Sequence, residues 1–322
     1  MAAATALEKA VRRRALAGVL GLCMALPAGA ATQVLVVAGL GGEPQYEQNF
    51  QKWSEQVAHA SLTVAGDAAH VRRLVGNDAR RENIEAALRA AAQSLHAGDH
   101  FVLVLLGHGS YDGTEYRFNI PGDDLTGTDL RALLDRIPDG VTQLVVDATS
   151  TSGAIADKWA GPHRIVVTAT KTGGERNATR FGGYWAEALG SNEADRDKDG
   201  SVTAQEAYDY ATRKVTESFK SDASVATEHA RIVGNDAGRF VVARLGAAAL
   251  YAGDAQLAAL RNEQDGIEQR LDQLRGQKAS LPEDEYYNRL EPVLLDMARL
   301  GKRIDARLQQ LGVNTGGGNA IF

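Results

Sequence analysis

The stretch VVDATSTSGA, Val145 to Ala154, decides how the rest of the chain is read. It closes the apolar run TQLVVDAT (Thr142 to Thr149), which has no polar alternation, so both faces of the strand are buried as in a parallel sheet. The strand then gives way to small hydroxyl residues, Thr149 to Ser152. In α/β sheets ligands and nucleophiles gather at the carboxyl ends of strands, so this turn is the first place to look for chemistry.

Working outward, three further runs have the same character: TQVLVVAGLGG (Thr32 to Gly42), FVLVLLG (Phe101 to Gly107) and RIVVTAT (Arg164 to Thr170). Helical patterns separate them. Phe50, Trp53 and Val57 form one apolar face between Gln45 and Ala60. Asn77-Asp78 is a start signal for a helix that buries Ile84, Leu88 and Leu95. Parallel strands alternating with helices predict a three-layer α/β/α sandwich with a mostly parallel sheet. A helix over Thr203 to Ser218 and a strand in RFVVARL (Arg239 to Leu245) complete this domain, expected over residues 31–250.

From about residue 251 the pattern changes. Leu257, Leu260, Ile267, Leu271 and Leu274 fall on a heptad seam interrupted at Gln264; Tyr286, Leu290, Val293, Met297, Leu300, Ile304, Leu308 and Leu311 form a second seam. The two predict an antiparallel, coiled-coil-like helical hairpin over 251–312, followed by a disordered tail, 313–322. Ser280 and Glu283 have capping-box spacing for the second helix, and Pro292 should kink it.

The first thirty residues stand apart. Arg12 to Arg14 precede a short apolar run that ends in Ala28-Gly29-Ala30, the pattern of a cleavable signal peptide (1–30) and of a secreted or periplasmic protein; Sec and twin-arginine export both fit. The one cysteine, Cys23, lies within it, so the mature chain is expected to hold no thiol. With 35 Lys and Arg against 41 Asp and Glu, a net charge of −6, there is no basic footprint for nucleic acid, and no integral membrane segment is expected once the leader is removed.

The strand Phe101 to Leu106 ends in Gly107-His108-Gly109. An apolar strand ending in His-Gly (LLGHGS), followed by one ending in acidic-Ala and a hydroxyl turn (VVDATSTSG), resembles the caspase and legumain superfamily of cysteine peptidases. VGNDARRENIEAAL, IPGDDLTGTDLRALL and TATKTGGERNATRF add to the resemblance, which covers Thr32 to Leu245. It implies a caspase-like sheet, His108 and Gly109 in the place of the His-Gly pair, Asp147 in that of the acidic residue, and Thr149 where the cysteine stands, with Ser150 as an alternative. Glu175, Arg176 and Arg180 fall on the side that would line a substrate pocket. A hydroxyl supplies almost no nucleophile without an adjacent base, so this reading is a peptidase homologue that binds peptide or protein without cleaving it. Two alternatives stay open: a hydrolase using Thr149 or Ser150 with His108, and a scaffold that binds through the hairpin. Thr149 and Ser150 can also be plain turn residues bonding their own backbone.

ADRDKDGSVTAQEA carries a separate signal. Asp195, Asp197, Asp199, Ser201, Thr203 and Glu206 occupy positions 1, 3, 5, 7, 9 and 12 of an EF-hand-type loop (195–206), with Gly200 at position 6. Hard oxygen ligands at that spacing suit Ca²⁺, and the absence of a paired second loop suits a structural ion better than a sensor.

Overall fold

The computed structural model describes residues 30–278 and 280–311. All but the last residue of the expected leader, and the tail at 313–322, lie outside them. In chain order the first elements are β1 (Thr32–Ala38), α1 (Pro44–Ala65), β2 (Val71–Leu74), α2 (Arg81–Ser94) and β3 (His100–Leu106). Three short strands follow, β4 (Gly109–Tyr111), β5 (Tyr116–Phe118) and β6 (Leu125–Thr126), then α3 (Gly127–Leu134), β7 (Thr142–Asp147), α4 (Ala156–Trp159) and β8 (Arg164–Thr168). The remainder is α5 (Phe181–Ala188), β9 (Ser201–Thr203), α6 (Ala204–Ser221), β10 (Arg231–Val233), β11 (Val241–Arg244), α7 (Gly246–Gly253), α8 (Ala255–Gln277) and α9 (Glu283–Gln310).

Six strands make the central sheet in the order β10-β8-β7-β3-β1-β2, all parallel except β10. The side chains of each inner strand alternate between two apolar layers, which is why its sequence shows no polar alternation. Val36, Val104, Val146 and Val167 pack against Val57 of α1, Phe181 and Trp185 of α5, and Tyr210 of α6. Leu35, Leu103, Val145 and Val166 pack on the opposite face against Ile84 and Leu88 of α2, Leu130 of α3 and Trp159 of α4. The architecture is thus a three-layer α/β/α sandwich. The pairing of β3 with β7 brings the ends of those two strands side by side. At the outer edge β2 reads VRRL, with Arg72 and Arg73 exposed.

Several local expectations change. Residues 76–79 form a 3-10 turn, and α2 begins after Arg80, which caps it without a side-chain bond; Asn77 and Asp78 lie within the turn and do not start the helix. The second hairpin helix is capped by Pro282 without a side-chain bond, while Ser280 Oγ donates to the Gln277 carbonyl, so the Ser280–Glu283 box does not form. At Thr203 the capping box with Glu206 is present at both ends.

Helices α8 and α9 bury Leu257, Leu260 and Ile267 against Leu300, Ile304 and Leu308. Arg307 pairs with Asp254 at 2.6 Å, Arg303 with Glu263 at 2.7 Å and Arg270 with Asp296 at 3.5 Å, a descending register that makes them antiparallel. Leu290, Val293 and Met297 of the expected seam are only half-buried and Leu311 is exposed, as are Tyr287, Leu294 and Leu295. Among the described residues no helix is long and apolar enough to cross a membrane.

Candidate functional site

His108 leaves the end of β3 and turns back toward the start of α1. Its Nε2 lies 3.1 Å from the Gly41 carbonyl oxygen, which can only accept, so this nitrogen carries the proton and donates it. Tyr46 and Phe50 of α1 meet the imidazole edge to face, with ring centroids 4.9 and 5.2 Å away.

At the end of β7, Thr149 is fully buried. Its hydroxyl donates to Asp147 Oδ1 at 2.7 Å, and its N–H bonds the same oxygen at 3.1 Å. With its one proton directed at Asp147, Thr149 accepts the Tyr116 hydroxyl at 2.7 Å. Burial pushes the Asp147 carboxyl up to about 6, against the Thr149 hydrogen bonds that favour the charge. Its second oxygen, Oδ2, is buried without a hydrogen-bond partner among the described residues.

Ser150 is engaged at both ends. Its Oγ donates to the Gly109 carbonyl at 2.9 Å and accepts the Gly109 N–H at 3.2 Å. This lock holds the His108 turn against the hydroxyl turn, and Gly109 has no Cβ to obstruct it. Ser152 Oγ donates to the Thr149 carbonyl at 2.8 Å, and Thr170 Oγ1 accepts the Gly153 N–H at 2.8 Å. Thr151 sits in the left-handed region at φ 59°, unusual for a β-branched residue. Its N–H reaches the Glu175 carbonyl at 2.8 Å, while its Oγ1 is buried without a hydrogen-bond partner among the described residues.

The structure therefore brings His108, Gly109, Asp147, Thr149 and Ser150 into one neighbourhood, but among the described residues no hydroxyl of the turn hydrogen-bonds His108. Glu175 and Arg180 are held by other partners. Glu175 accepts from Lys171 N at 2.8 Å and contacts His229 Nδ1 at 2.6 Å. The Arg180 guanidinium bonds Ser218 and Asp222 over the Phe219 ring. Arg176 is exposed. Sequence reasoning missed Tyr116, Tyr46 and Gly41, which act on the site from other elements. It also missed Glu228, 3% exposed, whose two oxygens accept the Arg180 N–H at the start of α5 at 2.8 and 2.9 Å. Burial raises Glu228 to about 7 despite those bonds. A buried acid in a segment of polar, exposed neighbours leaves no periodic signal.

In the 195–206 loop the carboxylates of Asp195, Asp197 and Asp199 lie within 4.8 Å of one another. Lys198 and Gly200 take positive φ, 62° and 81°, which turns the backbone sharply. Ser201, Thr203 and Glu206 follow. Glu206 accepts the N–H groups of Arg196 and Thr203, both at 2.9 Å, and so bridges the two ends of the loop. Asp195 is 9% exposed, and its Oδ1 has no hydrogen-bond partner among the described residues. A buried, unpaired carboxylate oxygen within an acidic cluster fits the donor set of a hard cation.

A groove of about 620 Å³ opens between α1 and α5, and Tyr46, one of its lining residues, also meets the His108 ring.

No family model matches the chain, and no curated protein matches it. Among solved structures, a protein from Geobacter sulfurreducens is similar over 66% of this chain and 97% of its own, at 14% identity and a TM-score of 0.44. Caspase-1 from Spodoptera frugiperda is similar over 64% and 86%, at 12% identity and 0.44. The protein drICE is similar over 67% and 90%, at 11% identity and 0.39. These values assign neither family nor activity.

Proposed function

We propose that the chain is a non-cleaving homologue of the peptidases it resembles, and that it binds peptide or protein at the sheet end beside His108. The observation that carries this reading is the commitment of Ser150 Oγ to both backbone groups of Gly109. Thr149 is committed in the same way, between Asp147 and Tyr116. A nucleophilic hydroxyl needs a base about 3 Å away or bridged by one water; the base beside Thr149 is Asp147, and both are fully buried, while the Nε2 proton of His108 goes to the Gly41 carbonyl. Freeing either buried hydroxyl leaves its partners unsatisfied, at about 1–3 kcal/mol for each group.

The test is incubation of the mature protein and its His108→Ala variant with a diverse peptide library, read by mass spectrometry. The expected result is no cut that depends on His108. Cuts present in the wild type and lost in the variant would establish the hydrolase alternative.

The proposal includes one Ca²⁺ at Asp195, Asp197 and Asp199, with Ser201, Thr203 and Glu206 completing the loop. Its support is the unpaired, buried Oδ1 of Asp195 together with the spacing. At a hundredfold excess over Kd, a single site stabilises the folded chain by about 2.7 kcal/mol. Ca²⁺ should therefore raise Tm by several degrees relative to EDTA, and Asp195→Asn should abolish the shift. Identical melting curves for the wild type in both solutions would remove the ion from the proposal.

A further inference from the structure

The sequence pattern that ends the expected leader and the first hydrogen bond of the fold meet at one atom. Ala28-Gly29-Ala30 sets the cut between Ala30 and Ala31. Ala30 is exposed, Ala31 half-buried and Thr32 buried, so this bond lies where the backbone leaves the sheet. The Ala31 N–H donates to Asp99 Oδ1 at 2.8 Å, and the Ala31 carbonyl accepts the His100 N–H at 2.8 Å.

Asp99 is placed to receive that nitrogen. It stands between α2 and the start of β3, with a side chain only 16% exposed. Its Oδ2 accepts the His96 N–H at 2.8 Å, while Oδ1 is turned to Ala31. Its own carbonyl accepts the Thr142 N–H at 3.0 Å, so this one residue ties together the starts of β1, β3 and β7. Burial acts to raise the Asp99 carboxyl, but the N–H groups of His96 and Ala31 outweigh it and hold the carboxyl below its ordinary value. Two imidazoles also act on it: exposed His96, with Nδ1 at 3.9 Å, and half-buried His100, whose charged form burial disfavours.

We infer that removal of the leader creates an ion pair between the new α-ammonium of Ala31 and the Asp99 carboxylate. The inference goes beyond the peptide-binding proposal and rests instead on the leader expected at residues 1–30. Hydrolysis by a leader peptidase adds water across the Ala30–Ala31 bond. Ala30 departs as a carboxylate, and the Ala31 nitrogen, released from the amide, takes up a proton. The donor to Asp99 thereby gains a full charge with no movement of the strand, in a partly enclosed place where salt screens little. The position of the cut matters. A cut one residue later removes Ala31, and each residue retained before it carries the charge about 3.5 Å farther from the carboxylate. The uncut chain has only the amide bond, so processing stabilises the fold. Because an adjacent carboxylate favours the ammonium, the added stability is full below about pH 8, the ordinary α-amino value, and is lost as pH rises through the higher folded value.

The test begins with the full chain, expressed with its leader in an exporting bacterial host, and the amino terminus of the product is read by mass spectrometry. The expected first residue is Ala31; any other first residue, or an uncut chain, would overturn the inference. The pH dependence of acetylation of the α-amino group, read on the terminal peptide, then gives its pKa. It should lie about one pH unit or more above that of Asp99→Asn, a tenfold preference for the charged form. A form that begins at Gly29 leaves Asp99 untouched and moves the charge away, so it decides the matter even where Asp99→Asn does not fold. The Ala31 form should melt a few degrees above the Gly29 form at pH 7, and the difference should vanish at about pH 10.5. Equal α-amino values in wild type and Asp99→Asn, or equal melting of the two forms at pH 7, would overturn the ion pair while leaving the proposal at His108 in place.

Discussion

Gly109→Ala is expected to destabilise the protein by about 3 kcal/mol or more, a large loss for a single methyl group. The added Cβ would lie 2.4 Å from the Ser150 carbonyl oxygen, 2.6 Å from Thr149 Oγ1 and 2.7 Å from the Tyr116 ring. None of these is the free end of a flexible side chain. The carbonyl belongs to the turn, the threonine hydroxyl is fixed by Asp147 and Tyr116, and the tyrosine is buried. Relief requires the His108 turn and the hydroxyl turn to part, which breaks the two bonds between Ser150 and Gly109 at about 1 kcal/mol each. Urea unfolding measures the effect. Gly190→Ala, where the added Cβ meets nothing within 4 Å, is the control and should stay near wild type. A Gly109→Ala protein within about 1 kcal/mol of wild type would mean that the contact between the two turns is looser than these distances imply.

The second large effect is a dependence of stability on pH. Asp147 is raised from 3.8 to about 6 and Glu228 from 4.5 to about 7, in both cases mainly by burial. Each shift of somewhat over two pH units corresponds to about 3 kcal/mol. Because both acids hold their protons more tightly when folded, their contribution is fully present below the unfolded-state values. It is lost as pH rises, for Asp147 between about 4 and 6 and for Glu228 between about 4.5 and 7. Neutral replacements remove this slope. The stability of Asp147→Asn relative to wild type should therefore increase by about 3 kcal/mol from about pH 4 to about pH 8, and Glu228→Gln should behave alike with a later midpoint. Parallel pH profiles for wild type and variant would show that the carboxyl in question is not desolvated.

The four inner strands were legible because burial on both faces leaves an uninterrupted apolar run, as in Val34 to Ala38 and Phe101 to Leu106. The strands β2 and β10 were not: VRRL and RIV are short, charged and set at the edges, where one backbone side has no partner strand. Likewise β4, β5 and β6 have three, three and two residues, too few for a period to register. For the site, His108 and the turn after Asp147 could be found because both stand at the ends of strands that proved to be neighbours. Their partners could not. Tyr116 arrives from the small sheet and Gly41 from the loop after β1, so the assignment of each proton depended on tertiary contacts that no spacing encodes. The helix-start signals at Asn77 and Ser280 illustrate the same limit, since short polar residues settle in turns as readily as at helix caps: Asn77 lies inside a 3-10 turn, and Ser280 bonds back to the Gln277 carbonyl.

The edge strands have a consequence for how the molecule behaves in a crowd. An open sheet with long, flat margins is a template on which another copy can add a strand. Here one margin is four residues long with Arg72 and Arg73 exposed, so an approaching copy would set like charges against each other before any ladder forms. The other margin is three residues long, reverses strand direction, and has its Arg231 guanidinium paired with Asp157 at 2.9 Å. The sheet is finite by construction, and its growth into fibrils is opposed at both ends.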